Sequence, residues 1–151
     1  MSVIEMVKTI KTVHSNDIVL TKIGKFVYAY GKDAYIISYI FKYKIKTLKE
    51  SNNIYVCAFP KEKLNKIMAI LENKKINYLI LDRRNNYRVD EKSDNKNLNQ
   101  YAEYCEKSIK YVIAKNQIDV IYNYLISEIE KEGNEQTILK IKQIVNERRK
   151  I

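Results

Sequence analysis

Apolar residues recur at three-and-four spacing over residues 2–14, where Ile4, Met6, Val7, Ile10 and Val13 oppose Lys8 and Lys11. That period predicts a short amphipathic helix. Asp17 to Thr21, built on Ile18-Val19-Leu20, is a compact β-branched run, and Phe26 to Tyr30 is a second, with Gly24 between them. The pair predicts two strands joined by a turn. Ala34 to Phe41 is helix-like. Tyr43, Ile45 and Thr47 then alternate with Lys44 and Lys46 before Leu48, the period-two pattern of a half-exposed strand. Ser51-Asn52-Asn53 predicts a turn and Ile54 to Phe59 a more buried strand. Pro60 suits the first turn of a helix, which carries Leu64, Ile67, Met68 and Leu71 on one face and Lys61, Lys63 and Lys66 on the other. Asn73 to Lys75 closes it, and Tyr78-Leu79-Ile80-Leu81 forms a further buried strand.

The composition changes after Asp82. Residues 82–97 are polar with a lone valine, and they read either as a solvated linker or as a loop in which Arg83, Arg84 and Arg88 pair phosphates around Tyr87. Beyond Leu98 three apolar stripes follow: Leu98 to Ile113, Ile118 to Ile129, and Ile138 to Val145. They are separated by breaks near Lys115-Asn116 and at Gly133-Asn134. The organisation expected is an α+β domain over 1–83, a small mixed sheet flanked by helices. A polar linker over 84–97 and a helical C-terminal segment over 98–151 complete it.

The chain has 151 residues, a formal charge of +10 and an isoelectric point near 9.4. A chain of this size can bury a real core, and the charge suits a polyanionic partner. Its abundant Lys, Ile, Asn and Tyr all have AT-rich codons, so part of that lysine excess reflects composition at the nucleotide level. Cys57 lies in an apolar strand-like run and Cys105 on a helical stripe; both read as small buried hydrophobes of a reducing compartment. No basic-then-apolar leader and no long apolar run are seen, so a cytoplasmic protein is expected.

The most informative segment is Gly24-Lys25-Phe26-Val27-Tyr28-Ala29-Tyr30-Gly31-Lys32-Asp33-Ala34. Phe26 follows a turn and is flanked by Lys22 and Lys25. It is either an ordinary core residue of a strand or a ring presented to nucleobases while lysines hold phosphates. This segment resembles the Gly-Asp-Phe-Tyr-Glu-x-Phe/Tyr-x-x-Asp-Ala signature of MutS domain I, the mismatch-recognising domain of mismatch-repair proteins. Ile54 to Pro60, the helical run to Leu71, and Ile76 to Asp82 are similar to that family's strand, Gly-Phe/Val-Pro, helix, strand segment. The resemblance implies a stand-alone DNA-binding domain in which Phe26 wedges beside a mismatched base. Tyr28 stands where the family carries glutamate, and Lys25 where it carries aspartate. Lys22, Lys25 and Lys32 are the expected phosphate contacts, with Arg83 and Arg84 joining them if the polar stretch faces DNA.

Enzymatic chemistry is not expected. No phosphate-cradling Gly-x-x-x-x-Gly-Lys-Ser/Thr loop occurs, His14 stands alone, and neither a nucleophile set nor a metal-ligand set can be assembled. No cofactor is implied. The partner expected is duplex DNA, mismatched or otherwise distorted, with the C-terminal helices free to form a homodimer or to dock a protein. The competing reading is an interaction module that kept the fold, lost mismatch recognition, and works through those helices.

Overall fold

Helix α1 (Val3–Val13) starts where Ser2 and Glu5 satisfy each other's backbone: the Glu5 N–H donates to Ser2 Oγ, 3.2 Å, and the Ser2 N–H to Glu5 Oε2, 2.8 Å. The computed structural model describes residues 2–48, 54–93, 98–131, 133 and 135–149. The turn expected at Ser51-Asn52-Asn53 and residues 94–97 of the expected linker lie outside them.

Strands β1 (Ile18–Ile23) and β2 (Phe26–Tyr30) form a hairpin closed by Gly24 and Lys25. Gly24 has a φ of +61° and Lys25 a negative one. This is the two-residue turn with glycine at its first central position, whose twist matches the strands it joins. Helix α2 (Lys32–Phe41), β3 (Ile45–Leu48), β4 (Ile54–Pro60), α3 (Leu64–Asn73), β5 (Tyr78–Asp82) and β6 (Arg88–Lys92) follow. The strands make one six-stranded mixed sheet, ordered β3-β4-β2-β1-β5-β6, in which only β1 and β5 run parallel.

Alternation along the central strands gives each face its own core. Ile18, Leu20, Val27, Ala29, Cys57, Phe59 and Ile80 bury against α2, α3 and Tyr101 on one face. Val19, Leu79 and Leu81 meet Val7, with Val3, Ile10 and Tyr30 packed around them, on the other. The first face is covered broadly. Among the described residues, α1 covers the second face over the end of the sheet nearest Tyr30.

Three expectations need correction. Pro60 ends β4 rather than opening a helix; a short 3-10 turn, Lys61–Lys63, intervenes before α3. Part of the polar stretch expected as linker is a strand: β6 pairs with β5, Asp82 opposite Arg88 and Leu81 opposite Val89. All five β6 residues are exposed, so hydrophobic pattern could not mark it. Finally, the break expected near Lys115-Asn116 is absent. Helix α4 (Tyr101–Ile129) runs through it, because lysine, asparagine and glutamine interrupt an apolar stripe without interrupting a helix. Helix α5 (Glu135–Arg149) follows Gly133.

The chain divides into two compact units, Met1–Val112 and Ile113–Ile151. The first reaches well past residue 83 because β6 completes the sheet and Tyr101, at the start of α4, is part of the core. Among the described residues, no helix is long and apolar enough to cross a membrane.

Candidate nucleic-acid interface

Period-two geometry puts Phe26, Tyr28 and Tyr30 of β2 on the face that α1 only partly covers, while Val27 and Ala29 point into the opposite core. Tyr30, at the α1 end, packs into the smaller core. The Tyr28 ring stacks on it with centroids 6.3 Å apart and planes 13° from parallel. Phe26, at the free end, is 46% exposed. Of the two readings open for this ring, the interior one is excluded.

The register of β2 against β4 places Phe26 opposite Pro60. The Lys61 N–H donates to the Lys25 carbonyl, 2.9 Å, and so fixes the turn after β4 beside the β1–β2 turn. Gly24, Lys25, Phe26, Pro60, Lys61 and Glu62 line a shallow depression of about 520 Å³. Two lysines and one glutamate thus rim the exposed ring.

The other expected residues are distributed unevenly. Lys22 alternates to the far side of β1. Its ammonium pairs with Asp90 and lies 3.8 Å from Asp82, leaving only 13% of the side chain exposed. It is already neutralised within the fold. Lys32 is exposed at the start of α2, beyond the opposite end of β2 from Phe26. Arg83 and Arg84 open a 3-10 turn after β5. The Arg84 N–H donates to Asp82 Oδ1 at 2.9 Å and its guanidinium lies 3.4 Å from Oδ2, while three quarters of its side chain stays in solvent. These contacts, the backbone one first, hold the Asp82 carboxyl below its ordinary range.

Tyr30 extends the aromatic surface and did not stand among the expected contacts, whereas Tyr87 is the ring expected between Arg83, Arg84 and Arg88. Burial raises the Tyr30 phenol to about 12; Tyr28 and Tyr87 add to that and Arg83 opposes it. Tyr87 holds a φ of +59°, next to Asn86 at +54°. A bulky ring seldom adopts that backbone, and here the Tyr87 N–H is fixed by the Asp82 carbonyl, 3.0 Å. Tyr30 was legible from its spacing with Phe26.

Away from this face, Asp33 is buried at the start of α2. It accepts from Lys11 Nζ (3.1 Å), Tyr101 Oη (2.6 Å) and the Val19 N–H (3.0 Å), tying α1, β1 and α4 to α2. Burial pushes its carboxyl up and these donors pull it back. No three His, Cys, Asp or Glu side chains converge as a metal site among the described residues.

Residues 1–102, two thirds of the chain, match the family model of MutS domain I. The chain belongs to the MutS domain I family. The matched span includes the β1–β2 turn and β2, and the α+β architecture with a mixed sheet is the fold of this MutS-like mismatch-recognition domain. No curated protein matches the chain.

Proposed function

We propose that this MutS domain I protein binds duplex DNA without catalysis, and that Phe26 stacks against a base step at mismatched or otherwise distorted sites. The observation that carries the reading is the half-exposed Phe26 ring at the uncovered end of the sheet, beside Lys25 and Lys61. A mismatch lowers the cost of unstacking, so an apolar wedge entering from the minor groove gains most there. Lys25 and Lys61 contact phosphates, and the exposed Arg83, Arg84 and Lys32 add contacts further out. Tyr28 supplies a hydroxyl that donates or accepts, where the family carries a carboxylate; its neutrality favours shape over base identity. Lys22 has a structural part instead, since its charge is spent on Asp82 and Asp90.

The test is binding of fluorescent duplexes, with and without one mismatch, to wild type and Phe26→Ala at low salt. Base–aromatic stacking of about 1–3 kcal/mol predicts a loss of roughly 5- to 150-fold in the variant on mismatched duplex. With about five phosphates neutralised, the logarithm of affinity falls against that of salt with a slope of about −4.5. Absence of binding by wild type, or equal affinity for the variant, overturns the proposal.

A further inference from the structure

A second concavity lies within the unit Met1–Val112, at the opposite end of β2 from Phe26. It measures about 700 Å³, inside the range of about 300–1,000 Å³ that small-molecule pockets occupy. Ile4 and Val7 of α1, Tyr30 and Ile54 of the sheet, and Tyr101 and Ala102 of α4 form its apolar and aromatic walls. The contacts of Asp33 hold these elements in place. Lys11 of α1 and Tyr101 of α4 meet its Oδ1, and the Val19 N–H meets Oδ2. The cavity is therefore preformed, and a molecule entering it need not order the walls.

The charges along the cavity decide what it takes. Its lining sets Lys8, Lys11 and Lys32 against Asp33, a net +2. Lys11 has nothing left to offer a ligand. An ammonium has three protons, and this one is surrounded by the Asp33 carboxylate, the Tyr101 hydroxyl and the carbonyls of Ser15 and Asp17, at 2.7–3.3 Å. Asp33 is neutralised by it and accepts on both oxygens. Lys8 and Lys32 differ. Both are exposed, and neither has an ion-pair partner among the described residues. Glu5, one turn before Lys8, is turned to the Ser2 cap. Two uncompensated cations beside an apolar wall suit a molecule with an acidic head and an apolar body. A phosphate backbone would meet the lysines but leave the concave apolar wall unused.

We infer that this cavity binds a small amphipathic anion, whose acidic group meets Lys8 and Lys32 and whose apolar body lies along Ile4, Val7, Ile54 and Ala102. The inference is independent of nucleic-acid binding. Fluorescence titration of the full chain with anilinonaphthalene sulfonate tests it, beside phenylnaphthylamine, the same ring system without the sulfonate. The sulfonate probe is expected to saturate a single site, with an affinity about fivefold or more above that of the uncharged probe. Ala102→Phe fills the cavity from an exposed helix position and is expected to weaken both probes about tenfold or more. Lys8→Gln with Lys32→Gln is expected to bring the sulfonate probe down to the affinity of the uncharged one, and to leave the latter unchanged. Circular dichroism checks that each variant keeps the helix content of wild type. No saturable binding by wild type, equal affinity for the two probes, or a sulfonate affinity indifferent to either variant overturns the proposal.

Discussion

Tyr101 donates from its hydroxyl to Asp33 Oδ1 at 2.6 Å, joining the start of α4 to the start of α2 across 68 positions of sequence. Lys11 Nζ reaches the same oxygen at 3.1 Å, so one buried carboxylate collects a cation and a phenol from two other helices. The consequences of losing each partner differ. Tyr101→Phe removes the donor to Asp33 and the acceptor that Lys11 Nζ meets at 3.1 Å, and is expected to cost about 1–3 kcal/mol. Lys11→Met strands the carboxylate without its counter-charge and is expected to cost about 3–5 kcal/mol. Urea denaturation should rank the two in that order; equal losses would mean that Lys11 does not compensate the burial of Asp33.

Lys25 and Lys22, three positions apart, are expected to behave oppositely. Lys25→Ala should leave thermal stability unchanged and reduce the salt slope of DNA binding by about 1. Lys22→Ala should lower stability, because it leaves Asp82 and Asp90 facing each other without a cation, while the salt slope stays as it was. Melting curves and salt titrations on both variants separate a binding lysine from a structural one.

Thr21 lies opposite Tyr28 across the β1–β2 pair and opposite Leu81 across β1–β5. It is fully buried, and its hydroxyl has no hydrogen-bond partner. A buried hydroxyl without a partner is a net cost. Thr21→Val should therefore raise stability, by about 1 kcal/mol. A destabilised variant would show that the hydroxyl is satisfied in solution.

Acid should act through Asp82. Its folded carboxyl is held below the ordinary value of 3.8, first by the Arg84 N–H and then by Arg84 and Lys22 charge. A depressed value means stability present above 3.8 and lost as pH falls through the folded value. The stability difference between wild type and Asp82→Asn should thus be constant near neutrality and vanish in strong acid. A difference that grows on acidification would contradict this sign.

Much of the first unit was legible because its patterns are local. Three-and-four spacing marks α1 and α3, β-branched runs mark β1 and β5, and Gly24 marks the hairpin. The exposed position of Phe26 was less so, since a ring in a strand is usually interior; the signature supplied what periodicity could not. The rest depended on pairing. Lys22 and Lys25 look alike in sequence, and only the arrival of Asp90 on β6 separates them. Pro60 and Lys61 join the rim through the register of β4 on β2, which no short window reveals. The continuity of α4 was missed because polarity at Lys115 and Asn116 resembles a boundary while leaving backbone hydrogen bonding intact.

The two outer strands carry a consequence for behaviour at high concentration. β6 presents Arg88, Asp90, Glu91 and Lys92, and β3 presents Lys46, along the open rows of peptide groups at either border of the sheet. Charges there repel an incoming strand, so neighbouring molecules are kept from zipping their sheets into a ribbon. A domain can then leave aromatic surface bare on one face and still stay dispersed in a crowded cell.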